Sequence, residues 1–382
     1  MVRRVVGISV LTAAVLLTAS ALAQNAKFEV PREKVLSIGF QTTTPPAPVV
    51  AGPTFNPSSA KTWSGSITHP NTKGLRLHVT IATAGTGPWK LRVKDAANEV
   101  ADEIESTSPL VTTKAFWTKE VKGSSAKVEL SADQALTGTS LSIDKYAFRV
   151  SPSNPQGTVG DDDKQPIGQA PAQVKGWAPP VARLTIMTPL GGGFCTGFML
   201  NDTLLMTNEH CIHDEEEAVS TTAEFGYDTA TSQPDVVRVT KLMALDPGLD
   251  FAIVRLEKKP PAKYGHVTLE TQSGVVDDSA LAVIQHPQGE PKMVSLVDCK
   301  VRGIDRIGVG DEHTDFGHLC DTLRGSSGSP VFALSSGHVV GLHHLGYPEG
   351  TQDPENQGVR FTEIVKLLKA KHQALATELQ LP

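Results

Sequence analysis

Short segments in which polar and apolar residues alternate recur between residues 62 and 150. Residues 75–79, 89–93 and 126–130 show this pattern, and Gly, Ser or Asn lies near each of them. An alternation with period two places the apolar side chains on one face of a β-strand, and the flanking residues favour turns. The pattern therefore predicts an N-terminal β-sandwich built from half-buried strands.

The C-terminal half begins with further strand-like segments and ends with a helical pattern. The strand-like segments continue from Val181 to Val359. Thr362, a residue type favoured at the N-cap, then precedes apolar residues at helical spacing. Those apolar residues are Ile364, Leu367, Leu368, Leu375 and Leu379. The sequence thus predicts a mostly β chain that ends in one helix from about residue 362 to residue 379.

Two segments interrupt the strand pattern. Residues 36–62 are rich in Thr, Pro and Ser, which predicts an extended segment rather than a folded core. Residues 151–179 are rich in Pro and Gly, and we place the domain boundary there. The prediction is an N-terminal domain over residues 24–165, a linker to about residue 179 and a second domain over residues 180–382. A length of 382 residues agrees with two domains, because one hydrophobic core rarely organises so many.

The first 23 residues have the layout of a signal peptide. Arg3 and Arg4 precede an apolar run that starts at Val5, and residues 21–23 (Ala-Leu-Ala) supply the small-residue cleavage pattern. A membrane anchor is the alternative, but the run is short and contains polar residues, and no later run is apolar enough to span a bilayer. We therefore expect a secreted or periplasmic chain that begins at or near Gln24 and has no membrane contact after cleavage.

The charge of the chain argues against one class of partner. The formal net charge is −6, and removal of Arg3 and Arg4 with the signal peptide takes it to −8. The sequence has no basic block that would attract it to nucleic acid or to an anionic membrane. We expect no nucleic-acid partner.

The chain has four cysteines, and in an exported protein four cysteines imply disulfides with three connectivities to choose from. The spacing favours a bond between Cys195 and Cys211 and another between Cys299 and Cys320. A zinc site is the alternative, but the sequence contains neither CxxC nor HExxH. We therefore expect two disulfides and no metal ion.

Three segments carry the candidate chemistry. The first joins GFCTGFML (residues 193–200) to LLMTNEHC (residues 204–211), the second is DFAIVRL (residues 250–256), and the third is DTLRGSSGSPVF (residues 321–332). Together they resemble the trypsin-like serine proteases, and the third resembles the bacterial branch that includes glutamyl and lysyl endopeptidases. The resemblance covers roughly residues 180–370 and implies a double β-barrel. An α/β-hydrolase is disfavoured, because its triad runs Ser, acid, His along the chain.

The resemblance makes His210, Asp250 and Ser327 the candidate catalytic triad. A serine hydroxyl is a weak nucleophile and needs an adjacent base, so His210 would take the Ser327 proton and return it to the leaving amine. Asp250 would hold the imidazole in the right tautomer. The amides of Gly325 and Ser327 are the expected oxyanion donors. Chemistry of this type needs no cofactor.

The base and the acid each have alternatives among nearby or similar residues. His210 is one of 12 histidines, but it follows a Leu-Leu-Met-Thr strand and precedes Cys211, whose spacing from Cys195 resembles the histidine-loop disulfide of the family. Asp246 is an alternative acid close to Asp250. We prefer Asp250, because the aspartate of the family directly precedes an apolar strand.

The nucleophile also has neighbours of the same type. Ser326 and Ser329 flank Ser327, and the motif Gly-x-Ser-Gly-x-Pro selects Ser327 when Gly325 is its first glycine. Trypsin has an aspartate at the position of Ser326, and that aspartate pairs with a newly freed N-terminal amine. Ser326 cannot form this ion pair, so we expect no maturation by that route. Residues 161–164 (Asp-Asp-Asp-Lys) are similar to the cleavage signal of trypsinogen activation peptides, but we interpret them as solvated charge.

Cleavage specificity in this fold depends on residues just before the nucleophile and on the strand after it. Thr322 and His343 resemble the threonine and histidine with which glutamyl endopeptidases bind an acidic side chain. Asp321 instead lies where trypsin places the aspartate that binds Lys or Arg, unless it is a structural cap beside Cys320, and Glu355 adds a second candidate carboxylate. We favour cleavage after Glu or Asp, with cleavage after Lys or Arg as the alternative.

The sequence as a whole predicts a secreted serine endopeptidase that acts on proteins or peptides through an acyl-enzyme on Ser327. Two alternatives remain: a protease homologue that binds without cleaving, and an esterase that uses the same triad. We expect the N-terminal domain to contact the protease domain and to act as a folding aid or inhibitory pro-region. A substrate-binding or wall-binding module is the competing interpretation of that domain.

Overall fold

The computed structural model describes residues 38–42, 61–70, 72, 74–82, 87–112, 115–136, 139–149, 157–188, 191–347 and 354–382. The predicted signal peptide lies outside the described residues. The same is true of residues 151–156, with which the predicted linker begins.

The described residues are mostly β. The strands of the N-terminal part are β1 (Ile38–Thr42), β2 (Thr62–Thr68), β3 (Gly74–Ala82), β4 (Trp89–Lys94), β5 (Val100–Glu105), β6 (Phe116–Trp117), β7 (Val121–Lys122), β8 (Ser125–Ala132) and β9 (Ser140–Arg149). Those of the C-terminal part are β10 (Gln165–Pro166), β11 (Val181–Thr188), β12 (Gly191–Met199), β13 (Leu204–Thr207), β14 (Thr222–Phe225), β15 (Asp235–Asp246), β16 (Phe251–Leu256), β17 (Leu281–Gln285), β18 (Met293–Ser295), β19 (Asp315–His318), β20 (Pro330–Ala333), β21 (Val339–Leu345) and β22 (Asn356–Arg360). The α-helices are α1 (Ala172–Trp177), α2 (Glu215–Ser220), α3 (Phe361–Lys371) and α4 (Gln373–Glu378).

Two sheets make up the described N-terminal part. One has the order β2-β8-β4-β5, and the other contains β1-β9-β3-β6, with β7 also paired to β3. Strand β4 follows the predicted alternation, because Trp89, Leu91 and Val93 are buried and the residues between them are half-buried. Leu77 of β3, Leu91 of β4 and Val128 of β8 belong to one core that both sheets share. A core shared by two sheets is what the predicted β-sandwich requires, and the sandwich stays a prediction.

Six strands of the C-terminal part close into a first barrel. Their order is β11-β14-β15-β16-β13-β12, and β12 pairs with β11 from Phe198 opposite Val181 to Gly191 opposite Thr188. Strand β13 is buried along its whole length, which explains why its sequence is an apolar run rather than an alternation. Leu184, Leu205 and Val254 contribute to the core of this barrel.

The second barrel is built on the strand order β10-β18-β17-β20-β21-β22-β19. Bridges between Ala280 and Lys300 and between Val301 and His318 join β19 back to the start of β17. A further apolar core, which contains Phe198, Phe332 and Leu368, lies between the barrels and under α3 and α4. The double β-barrel predicted from the sequence is confirmed.

The C-terminal helix is present, but it is two helices instead of one. His372 has φ −132° and ψ 53°, outside the helical region, and separates α3 from α4. Thr362 is not the N-cap, because α3 begins at Phe361 and Arg360 precedes it. Ile364 and Leu368 are buried in the core between the barrels, as their spacing predicts. None of the helices in the described part of the chain is long and apolar enough to cross a membrane.

Two segments that the sequence predicts as extended or as linker are packed in the structure. Strand β1 pairs with β9, and its Ile38 lies opposite Gly192 of β12. Strand β10 and helix α1 lie within the predicted linker, and Ile167 and Val174 are buried in the core between the barrels. Residues 165–179 therefore fold with the C-terminal part.

The N-terminal part contacts the first barrel through buried polar groups. Arg76 of β3 is 2% exposed and donates to the carbonyl oxygens of Thr185 (3.2 Å) and Ser220 (2.8 Å). Asp102 of β5 forms a buried ion pair with Arg238 of β15. A buried charge is tolerated only when it is paired, so these contacts join the two parts specifically.

Candidate active site

His210 lies in the loop that follows the buried strand β13, three residues after the strand ends at Thr207. Its neighbour Cys211 forms a disulfide with Cys195 of β12, with a Cα–Cα distance of 6.3 Å. The bond ties the loop after β13 to the adjacent strand. The His210 side chain is 15% exposed, so the barrel holds the imidazole while one edge stays accessible.

Asp250 lies at the turn into β16 and holds His210 by two hydrogen bonds. The Nδ1 atom of His210 lies 2.7 Å from Oδ2 of Asp250, and the backbone N–H of His210 donates to Oδ1 at 2.9 Å. Asn208 donates to the Asp250 carbonyl at 2.8 Å. Because the carboxylate accepts from Nδ1, the Nε2 atom of a neutral His210 is left as an acceptor. Asp250 has φ 46°, in the left-handed region that Asp tolerates better than most residues.

Burial alone would raise the pKa of the Asp250 carboxyl, but the imidazoles of His210 and His344 outweigh it and hold the pKa well below its ordinary value. Asp246, the alternative acid, has a different place. Its Oδ1 accepts from the backbone N–H groups of Gly248 and Leu249, each at 3.0 Å, which makes it a turn residue. Of the two aspartates, only Asp250 touches His210 in the described structure.

Ser327 lies in a tight loop between Gly325 and Gly328, whose φ values are 94° and 83°. Both glycines adopt the left-handed region, which explains why the loop needs them. Ser326 is fully buried, and its Oγ donates to Gln285 Oε1. Ser329 is also fully buried, and its Oγ donates to the Ser326 carbonyl at 2.5 Å. Among the three serines, only Ser327 is half-buried, which favours it as the nucleophile.

Backbone contacts hold the Ser327 loop against the strand that leads to His210. The Ser327 carbonyl accepts from Thr196 N–H at 2.8 Å, and the hydroxyl of Thr207 donates to the Thr196 carbonyl at 2.8 Å. The N–H of Gly328 donates to the His343 carbonyl at 3.0 Å, next to His344, which in turn contacts Asp250. These bonds bring the serine loop, the histidine loop and the aspartate into one region.

A hydrogen bond from Gln288 fixes the orientation of the peptide before Gly325. The Arg324 carbonyl accepts a hydrogen bond from the N–H of Gln288. The C=O and N–H of a trans peptide point in opposite directions, so the Gly325 N–H points away from Gln288. A Cβ on Gly325 would lie 2.8 Å from both Gln288 N and His286 O, and only glycine fits there.

Asp321, the candidate ligand for Lys or Arg, is occupied by the chain itself. Its Oδ1 accepts from Val159 N–H at 2.8 Å and its Oδ2 from Asp163 N–H at 2.9 Å. Burial raises the pKa of the Asp321 carboxyl, although these two amide bonds oppose the rise. Asp321 therefore acts as a cap for residues 159–163. Glu355, the other candidate carboxylate, is paired with Arg306 at 2.6 Å.

The residues proposed to bind an acidic side chain are both buried. Thr322 donates its backbone N–H to the Gly157 carbonyl at 3.0 Å, and a Cβ on Gly157 would lie 2.5 Å from Thr322 Oγ1. His343 lies with its Nδ1 3.1 Å from His318 Nε2. Burial, followed by the nearby imidazoles, lowers the pKa of His343 well below its ordinary value, so the ring is neutral at pH 7.

The second disulfide lies beside this pocket. Cys320, next to Asp321, forms a disulfide with Cys299, with a Cα–Cα distance of 4.0 Å.

Sequence reasoning missed two residues, His344, which contacts Asp250, and Asp315, which contacts His344. His344 of β21 has its Nδ1 3.1 Å from Asp250 Oδ2 and its Nε2 2.6 Å from Asp315 Oδ2. His344 and Asp315 are both fully buried. Ionisable residues in a mostly apolar strand often indicate a functional site. The sequence shows such residues in His343 and His344, which directly follow Val-Val-Gly-Leu.

Comparison with known proteins agrees with this arrangement. Residues 195–342 match the family model of the trypsin-like peptidase domain. An uncharacterized protein (y4fB) of Sinorhizobium fredii is 31% identical over 193 residues, covering 44% of this chain and 28% of that protein. The secreted RxLR effector protein 73 of Plasmopara viticola is 32% identical over 180 residues, covering 44% of each. The chain thus spans less than half the length of these two relatives.

Two solved structures are also similar to this chain, a protease and an inactivated protease paralogue. The active form of the Rv3671c protease from M. tuberculosis has 18% identity and a TM-score of 0.43, and the match covers 58% of this chain and 92% of that one. The scabies mite inactivated protease paralogue S-I1 has 13% identity and a TM-score of 0.44, with 52% and 96% covered. The match of residues 195–342 to the family model supports a serine protease.

Proposed function

We propose that this protein is a serine endopeptidase that hydrolyses peptide bonds through an acyl-enzyme on Ser327, with His210 as the base and Asp250 as the acid. The observation that carries the proposal is the His210–Asp250 pair, bonded at 2.7 Å beside a glycine-flanked loop with one accessible serine. This combination supplies a nucleophile, a base and a group that orients the base.

The reaction follows from the proton positions. Ser327 Oγ attacks the scissile carbonyl carbon while Nε2 of His210 takes the hydroxyl proton. The amides of Gly325 and Ser327 stabilise the resulting oxyanion. His210 then gives its proton to the leaving amine, the C–N bond breaks, and the acyl group stays on Ser327. Water repeats the sequence, with His210 as its base, and releases the acid and the free serine.

Covalent labelling tests whether the triad is productive. A fluorescent organophosphonate should label Ser327 in the full chain, and His210→Ala should label far more slowly, because the hydroxyl loses its base. Ser326→Ala is the matched control, since Ser326 is buried and should not change the labelling. Failure of Ser327 to react in a folded protein would favour the protease homologue that only binds. Hydrolysis of ester substrates without hydrolysis of the matching amides would favour the esterase.

For specificity we propose cleavage after Glu or Asp, with Thr322 and His343 facing the acidic side chain. The support is that both oxygens of Asp321 accept backbone N–H groups of residues 159–163 and are not open to a substrate cation. A panel of fluorogenic peptides that differ only before the scissile bond tests this. Preference for Glu, lost in His343→Ala, is the expected result. Preference for Lys or Arg, lost in Asp321→Ser, would overturn it.

For the whole chain we propose secretion or export to a periplasm. Two disulfides favour an oxidising compartment, where such bonds persist.

For the N-terminal domain, residues 24–165, we propose a pro-region role. The bonds of the buried Arg76 favour a domain that stabilises the first barrel, and the contact of Gly157 with Thr322 favours one that influences the pocket. To test the role, a shortened chain that starts at residue 157 is compared with the full chain. The shortened chain keeps the core residues Ile167 and Val174. If it folds to the same activity, with no inhibition by the added domain, the pro-region role is wrong.

A further inference from the structure

Two consecutive histidines of β21 face opposite sides of the strand and have opposite environments. His343 contacts another imidazole, that of His318, at 3.1 Å. His344 instead lies between two carboxylates, with Asp250 Oδ2 3.1 Å from Nδ1 and Asp315 Oδ2 2.6 Å from Nε2. All three side chains of this second group are at most 3% exposed. His344 thus bridges the catalytic acid of the first barrel to a strand of the second.

The hydrogen bonds determine the charge of His344. An ionised carboxylate can only accept, so both ring nitrogens of His344 must donate, and an imidazole with two N–H groups is an imidazolium. Burial would lower the pKa of His344, but the carboxylates of Asp315 and Asp250 outweigh burial and raise it to about 10. His318, equally buried but without a carboxylate partner, has a pKa lowered to about 3 by burial and by His344. The other titratable groups around His344 are His210, His318 and His343.

Asp250 is held from two sides as a result. Its Oδ2 accepts from both His210 and His344, and its Oδ1 accepts from the His210 backbone N–H. Asp315 is itself fixed, because Thr314 Oγ1 donates to its Oδ1 at 3.0 Å and its backbone pairs with Val359 of β22. The carboxylate that orients the base is therefore anchored through a charged group to the second barrel.

We propose that His344, backed by Asp315, is a positioning residue for the catalytic acid: its imidazolium clamps Asp250 in the orientation that His210 needs and sets the basicity of His210. This inference rests on the proposed peptidase function. Neither residue touches the substrate. The positive charge lies next to the acid and disfavours a second positive charge on His210, while Asp315 partly offsets it.

The first test separates the charge of His344 from its geometry. His344→Gln keeps an N–H donor for Asp250 but removes the positive charge, so the pKa of His210 should rise. The acid limb of the kcat/KM profile should move to higher pH by about one unit, with KM little changed. His344→Ala also removes the donor and should lower kcat by about 10- to 100-fold more than His344→Gln. An unmoved acid limb in folded His344→Gln would overturn the proposal.

Asp315 supplies the opposite perturbation. Asp315→Asn removes a negative charge, so the acid limb should stay or move to lower pH, and a move to higher pH would count against the clamp. If His344→Gln fails to fold because Asp315 is left buried without a cation, the double variant His344→Gln/Asp315→Asn removes both charges and restores a neutral pair. Asp102→Asn is the matched control, because it neutralises a buried paired aspartate on the N-terminal part and should leave the acid limb in place.

Histidine ¹⁵N NMR of the full chain provides a readout that needs no turnover. Both nitrogens of His344 should stay protonated throughout pH 5 to 8. Titration of His344 near the ordinary histidine pKa would overturn the clamp even if the enzyme is active. If His344 stays charged and the His344→Gln change shifts the His210 titration in a protein without peptidase activity, then the proposed function fails and the clamp stands.

Discussion

Two buried aspartates lie in two regions of the candidate site and have contrasting partners. In the catalytic region, which contains His210, Asp250 and Ser327, the Asp250 carboxylate accepts from imidazoles and one amide. In the pocket region, which contains Asp321, Thr322 and His343, the Asp321 carboxylate accepts only from backbone N–H groups. The pKa of Asp250 is lowered and that of Asp321 is raised.

The difference lies in the partners, since burial is nearly the same, with the two residues 2% and 3% exposed. Burial disfavours the charged form of either carboxyl, and only a cation or a strong set of hydrogen bonds reverses that effect. Asp250 has such partners in His210 and His344, whereas the neutral amides at Asp321 compensate only in part. One buried aspartate is thereby suited to chemistry and the other to holding residues 159–163 in place.

The largest effect is expected at Ser327, the proposed nucleophile. Ser327→Ala should lower turnover by about 10⁴- to 10⁶-fold, because no other hydroxyl in the loop is accessible to His210. Amide hydrolysis measures the loss, and circular dichroism checks that the variant folds. Ser329→Ala is the control, and near-normal activity of Ser327→Ala would refute the assignment.

The second prediction compares the aspartates directly. Asp250→Asn should lower kcat by about 10⁴-fold, because an amide at this position favours the wrong tautomer of His210. Asp321→Asn should keep kcat within about tenfold, because its side chain contacts only the backbone of residues 159–163. Steady-state kinetics of the two purified variants decides. Equal losses would mean that the pocket region takes part in catalysis.

The third prediction concerns the disulfide beside each region. Cys195–Cys211 adjoins His210 and Cys299–Cys320 adjoins Asp321, and loss of either bond should lower the free energy of unfolding by about 2 to 4 kcal/mol. Only the Cys195→Ala/Cys211→Ala variant should also lower kcat, because its bond anchors the histidine loop. Denaturant unfolding and kinetics of both double variants test this. Peptide mapping without reduction that found a cross-pairing such as Cys195–Cys299 would refute the pairing.

The smallest effect is a contrast in pH dependence. A lowered folded pKa means that Asp250 stabilises the fold above the ordinary aspartate pKa of 3.8, and this stabilisation is lost as the pH falls. A raised folded pKa means that protonated Asp321 favours the fold, and this contribution is lost as the pH rises through the raised value. The stability of wild type relative to Asp250→Asn should therefore increase from pH 3 to 6, and that relative to Asp321→Asn should decrease. Urea unfolding across this range measures both, and slopes of the same sign would contradict the comparison.

Much of the candidate site could be predicted from local sequence. His210, Asp250 and Ser327 were each proposed from a short motif that resembles a motif of the trypsin-like serine proteases. The strand periodicity was equally informative, since alternation in β4 and apolar runs in β13 directly reflect which faces are buried. Local chemistry and one-sided burial are properties of adjacent residues, and a sequence displays them.

What only the tertiary structure decided depends on residues far apart in the chain. Segment 38–42 is a strand because β9 and β12 supply its partners, and the helix breaks at His372 although its apolar spacing continues. No spacing rule joins Asp250, Asp315 and His344, which come from both barrels. Asp321 is a cap because residues 159–163 reach it across the fold. The charge and role of a buried polar group depend on its partners. When those partners are far apart in the sequence, only the folded structure shows which residues they are.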